Sequence, residues 1–145
     1  MRLFVGLPFP HPVRRELLLV RKGLERQAVK GKFTDVRNFH LTLAFLGEVA
    51  QERLPAAFAA LEAAPMGPLE LRFQRVGCFP GGIWFLSPEP CPALMEGQER
   101  LARALRREGF SLPEQGYVPH LTLGRKVVFP PGREPAPLLG RAIAA

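Results

Sequence analysis

The sequence predicts an α+β fold in one folding unit, and three observations carry that prediction. Apolar residues recur with period two in short segments and near 3.6 in longer ones, in the order strand, helix, strand, helix, hairpin, helix, strand. Proline and glycine stand at most of the junctions. With 145 residues, 47% hydrophobic and 23% charged, the chain has the composition of a folded globular protein with one core.

Leu3 to Leu7 is an apolar run closed by Pro8 and Pro10, as expected of a buried strand entering a loop. From Pro12 the period changes. Val13, Leu17, Val20 and Leu24 step by four, three and four among Arg14, Arg15, Arg21, Lys22 and Arg26, which predicts an amphipathic helix over 12–29 with a basic solvated side. Lys30, Gly31 and Lys32 read as a loop. Alternation resumes from Phe39 to Leu46, a strand that Gly47 is expected to end.

Leu54, Ala57, Phe58 and Leu61 predict a second helix between Gln51 and Ala64, with Pro55 tolerated in its first turn. After Pro65-Met66-Gly67-Pro68, the alternation of Leu69, Leu71 and Phe73 predicts a strand reaching Phe79. Gly81-Gly82 turns it into a second strand, Ile83 to Leu86. Leu94, Gln98, Leu101 and Leu105 keep a helical step from Ala93 to Glu108, stopped by Gly109. Tyr117 to Phe129 reads as a strand with Pro119 near its start. Pro130, Pro131, Pro135 and Pro137 make a rigid non-helical stretch, and no element is assigned to the tail from Leu138 to Ala145.

Lys and Arg exceed Asp and Glu by 20 to 13, a formal charge of +7 and a pI near 10.4. That balance suits an anionic partner such as RNA or a phosphorylated metabolite, and equally a generic Arg-rich surface. Cys78 and Cys91 form no CxxC pair and have no His or Asp at ligand spacing, so neither a zinc site nor a disulfide framework is expected. A reducing cytoplasm fits. The apolar run after Met1 is too short for a signal peptide, and no uncharged stretch is long enough to span a bilayer.

The chemistry concentrates in one repeated element. His-Leu-Thr-Leu occurs at His40 to Leu43 and again at His120 to Leu123, consuming two of three histidines and two of three threonines. On a strand His40 and Thr42 point one way and Leu41 and Leu43 the other, and likewise His120 and Thr122 against Leu121 and Leu123. The leucines anchor each strand while the polar pair faces outward. Side by side, two such strands would bring two imidazoles and two hydroxyls to one cleft. Imidazole changes charge near neutral pH, so two can serve as base and acid in one displacement at phosphorus, with hydroxyls donating to the phosphate oxygens. No metal or other cofactor is needed for that chemistry.

One HxTx alone is more simply a surface pattern; duplication favours a site. Arg125 admits two readings, a surface or ion-pairing role and a phosphate contact through charge-assisted hydrogen bonds. By strict alternation it faces away from His120 and Thr122, so contact requires a bulge, a strand end after Gly124, or the reach of the side chain. Phe4 fits a core position or a ring on which a base stacks. Tyr117 fits a packed loop residue, a stacking partner or a hydrogen-bond donor. Trp84 is read as packing, and His11, between prolines and without a matching threonine, as a loop histidine.

The segments Arg2-Leu3-Phe4-Val5-Gly6-Leu7-Pro8, Asn38 to Gly47 and Tyr117 to Arg125 together resemble the two-histidine (2H) phosphoesterase superfamily. Within it they are most similar to the RNA 2′,3′-cyclic phosphodiesterases, also called 2′-5′ RNA ligases. The resemblance implies a bilobal fold with antiparallel sheets flanking a central cleft and helices outside. It implies hydrolysis of 2′,3′-cyclic phosphates at RNA ends or on small cyclic nucleotides to 2′-phosphates, with reverse ligation as a further activity. Residue by residue, it implies His40 as the proton donor and His120 as the proton acceptor. Thr42, Thr122 and Arg125 would hold the phosphate. Beside them, Phe4 and Tyr117 are candidate substrate contacts on the reading of the residues themselves. A metal-independent monomer is expected. Phosphodiesterase action on another cyclic or 2′-5′-linked nucleotide is an alternative, as is a non-catalytic RNA-end binding module. Members of the family continue past the second motif by another strand or two, so a shortened second lobe is expected here.

Overall fold

A computed structural model describes residues 1–113, 116–133 and 138–144. Among them, strand β1 (Arg2–Pro8) leads to helix α1 (His11–Gln27), and β2 (Lys30–Phe33) to β3 (His40–Glu48). Helix α2 (Leu54–Ala63) precedes the hairpin β4 (Arg72–Phe79) and β5 (Ile83–Pro88), and α3 (Pro92–Arg107) precedes β6 (Leu121–Val128) and β7 (Leu138–Ala144). The strands make two sheets, β1 with β3, and a five-stranded sheet ordered β2, β6, β5, β4, β7. All strand pairings in the larger sheet are antiparallel. The α+β expectation therefore holds.

The chain divides into two compact units. The first comprises Met1–Leu7, Thr42–Leu69 and Pro90–Val118. In it the Val49 N–H donates to the Met1 carbonyl at 2.7 Å, next to where β3 ends and β1 begins. Helices α2 and α3 pack on each other, with Ala57 and Ala60 of α2 and Leu94, Leu101 and Leu105 of α3 buried. Gln98 interrupts the apolar stripe of α3 because its amide donates to the Leu43 carbonyl at 3.0 Å, giving that β3 group a partner. Pro55 and Pro92 stand in the first turns of their helices, where a missing N–H costs nothing.

The second unit comprises Pro8–Leu41, Glu70–Glu89 and Pro119–Ala145. Helix α1 buries Leu17 and Leu24, as its periodicity predicts, and contacts β2 and β7. The Arg21 guanidinium donates to the Thr34 carbonyl at 2.9 Å, fixing the chain just past β2. Trp84 is buried and meets Phe129 edge-on, with ring centroids 4.9 Å apart, which bears out its reading as packing. Ahead of β3, Asp35 caps a single helical turn over Val36–Asn38, accepting from the Arg37 backbone and side chain. Those hydrogen bonds hold its carboxyl down at about 2.

Several expectations are corrected. Lys30 to Lys32 form a strand and not a loop, because Gly31 lets β2 lie close to Val127 of β6. Leu69 and Leu71 lie outside β4, which begins at Arg72. Gly47 does not end β3 but sits within it at φ 71°. His11 opens α1 and is no loop histidine. Tyr117 to His120 precede β6; Pro119 has no N–H to give a ladder, so pairing starts at Leu121. Residues 138–144, to which periodicity assigned nothing, form β7 against β4. The expectation for Pro135, Pro137 and Ala145 falls outside the described residues.

Candidate active site

The two tetrapeptides share one burial pattern. Leu41, Leu121 and Leu123 are wholly buried, and Leu43 nearly so. His40, Thr42, His120 and Thr122 are all half-buried. Strand alternation alone predicts this division, and it places each imidazole and hydroxyl on the face opposite the anchoring leucines. His120 stands one residue before β6, and its ring is held from the side of the β4–β5 hairpin.

Register within the five-stranded sheet shows which residues accompany it. Thr122 lies opposite Phe85, and Trp84 opposite Gly124, so β6 carries one extra residue against β5 between those pairs. Leu123 and Gly124 are consequently both buried, and the alternation flips. A Cβ on Gly124 would meet Phe33 and Val127 at 3.0 Å, so Gly124 faces the packed side and Arg125 the other. The difficulty of alternation at Arg125 is resolved by this bulge. Thr122 and Arg125 occupy one face, with Lys32 directly opposite Arg125.

Phe79 and Phe85 stack with centroids 4.2 Å apart, and His120 meets them edge-on at 5.1 and 5.7 Å. Two rings on rigid strands thus limit the rotation of the His120 imidazole. The third member of this arrangement is Gly77, paired with Phe85; a Cβ there would lie 2.6 Å from the ring. Sequence reasoning missed all three. The strand reaching Phe79 is visible in the alternation, but nothing in the pattern aims these rings at a histidine 41 residues beyond Phe79.

His40 heads β3. The boundary between the units falls just after it, between Leu41 and Thr42, so Thr42 belongs with Tyr117 in the first unit. There the Tyr117 hydroxyl donates to the Thr42 carbonyl at 2.8 Å. Burial pushes its pKa up to about 12. A raised value favours the neutral phenol, so the stabilisation is complete below the unfolded value near 10 and is lost as pH rises through about 12. Tyr117 is the sole tyrosine, so tyrosinate absorbance reports it alone. Its titration midpoint is expected near 12, and ionisation near 10 would mean that the phenol is not buried as described. Phe4 lies on β1, 49% exposed, clear of the core position considered for it.

Among the described residues no group of three or more His, Cys, Asp or Glu is placed to hold a metal ion. No helix among them is long and apolar enough to cross a membrane. Cys78 and Cys91 are both free thiols.

The family model and the relatives that match this chain are those of enzymes that work on phosphate esters. A family model described as LigT-like phosphoesterase matches residues 7–85. The RNA 2′,3′-cyclic phosphodiesterase of Thermus thermophilus is 33% identical, over 97% of this chain and 75% of the relative. That of Methanocaldococcus jannaschii is 32% identical, over 86% of this chain and 71% of the relative. The crystal structure of E. coli LigT complexed with 3′-AMP superposes with a TM-score of 0.81 at 25% identity, covering 99% of this chain and 82% of that one. The chain belongs to the LigT-like phosphoesterase family.

Proposed function

We propose that the protein opens 2′,3′-cyclic phosphates at RNA ends to 2′-phosphates. His120 takes a proton from water, whose oxygen bonds to phosphorus as the bond to the 3′ oxygen breaks. His40 delivers the proton that the departing 3′ oxygen needs. Thr42 and Thr122 donate to the non-bridging oxygens, and Arg125 offsets their charge through charge-assisted hydrogen bonds. Phe4 and the ring of Tyr117 are the surfaces for a base, since the Tyr117 hydroxyl is engaged at Thr42. With a 5′ hydroxyl in place of water, the same base and acid join two ends. The 5′ oxygen loses its proton to His120 and bonds to phosphorus as the bond to the 3′ oxygen breaks. His40 protonates that oxygen, and a 2′-5′ linkage forms.

The observation that carries this reading is the identical burial of the two motifs, with histidine and threonine outward and leucine inward at both. Its support includes the relatives' activity and the 3′-AMP held by E. coli LigT. Incubation with 2′,3′-cyclic AMP, followed by phosphorus NMR, tests it: a 2′-phosphate is expected, formed equally well in EDTA. A 3′-phosphate would exchange the leaving oxygen. Salt-sensitive RNA binding without turnover of any cyclic phosphate would leave an RNA-end binding module instead.

A further inference from the structure

The chain's net positive charge lies in one unit. The second unit holds 14 Lys and Arg against 6 Asp and Glu, whereas the first holds 6 against 7. Within the second unit, Lys30, Lys32, Arg125 and Lys126 gather on adjoining strands, all exposed. None of the four is in an ion pair or side-chain hydrogen bond among the described residues.

Their arrangement is costly for the fold by itself. Lys32 sits directly opposite Arg125 across the β2–β6 ladder, and like charges in that relation destabilise a sheet. Lysine on an edge strand is a common guard against unwanted strand pairing, which accounts for Lys30 and Lys32 on β2. It does not account for Arg125 and Lys126, because β6 is an interior strand. Lys126 adds a second cost. It is the one non-glycine residue at positive φ among those described, at 53°, where glycine or asparagine would be less strained.

The backbone aims the group. A Cβ on Gly31 would point at Val127 Cγ2, 3.0 Å away, on the packed side of the sheet. Lys30 and Lys32, its neighbours in an alternating strand, therefore project from the other face, the one that carries Thr122 and Arg125. Lys30 and Lys32 lie roughly 6.6 Å apart along β2, two residues at the strand rise. A row of cations at that repeat, leading away from Thr122, suits a chain of phosphates better than a single one.

We infer that the RNA strand behind the cyclic phosphate runs along the β2–β6 edge, its backbone phosphates held by Lys30 and Lys32. The inference rests on the RNA reading above and deepens it: the preferred substrate is a polynucleotide, not a cyclic mononucleotide. Arg125 then neutralises the reacting phosphate, and the lysines the phosphates next in line.

The test uses the double variant Lys30→Gln/Lys32→Gln of the full chain, with a single-stranded RNA 10-mer and 2′,3′-cyclic AMP. Binding of the 10-mer, read by fluorescence anisotropy, is expected to weaken roughly tenfold, and the slope of log affinity against log salt to become shallower by about 1.4, from about 0.7 per lost phosphate contact. KM for a 10-mer ending in a cyclic phosphate should rise in step, while KM and kcat for cyclic AMP stay within twofold. Unchanged 10-mer affinity and salt slope, or equal losses on both substrates, would overturn the track. If the parent protein hydrolyses neither substrate, the phosphodiesterase reading falls. The anisotropy result still decides the track in that case.

Discussion

Replacing His40 or His120 with alanine is expected to lower turnover of 2′,3′-cyclic AMP by about 10²-fold or more in each case. Each imidazole has one proton to move in the proposed displacement, and neither can cover for the other, since one must give while the other takes. Both side chains are half-buried on outward faces, and because His120 also packs edge-on against Phe79 and Phe85, its removal should lower the melting temperature modestly, far less than truncating a buried leucine. The parent enzyme should show a bell-shaped dependence of kcat/KM on pH, and each variant should lose one limb of it. Near-parental activity in either variant would end the two-histidine mechanism.

The opposite behaviour is expected at the neighbouring leucines. Leu121 is wholly buried, and truncating such a side chain to alanine removes its transfer energy and leaves a cavity, about 2–5 kcal/mol. That is a large part of the stability of an ordinary domain. Leu41→Ala should cost a similar amount, whereas Thr122→Ala, at a half-buried site, should cost about 1 kcal/mol or less and act on kcat. Denaturant midpoints measured beside cyclic AMP turnover separate the two classes. A Leu121→Ala protein of parental stability but impaired turnover would show that the leucines are not the anchors.

Much of this was legible in the sequence because it rests on local periodicity. The three helices and the hairpin follow from apolar spacing and proline placement, and the division of labour in His-Leu-Thr-Leu follows from the pleat of a strand. What escaped depends on contacts between distant segments. The strand at Lys30 to Phe33 has two lysines and a glycine and little apolar signal; it exists because Gly31 and Gly124 let β2 and β6 close around Val127. The ring pair beside His120 belongs to a hairpin, and Gly77 matters through a ring it would otherwise strike. The reach of Arg125 could be posed as a question from alternation, but only the register of β6 against β5 answers it.

That register carries a consequence for how the enzyme can vary. Beyond Thr122 strand β6 is read in a shifted frame: one surplus residue against β5, and a further shift against β2 between Val128 and Arg125. The Val127 N–H closes on the Gly82 carbonyl at 3.0 Å, with no room for a side chain at Gly82. Deletion of a single residue at Leu123 or Gly124 would restore the simple pleat and leave Arg125, then two residues beyond Thr122, still on the face of Thr122, whereas pairing all the residues without the bulge would turn the guanidinium inward. What the lineage of this protein has to keep is the parity of the step from Thr122 to Arg125, which three residues with a bulge and two without one both satisfy.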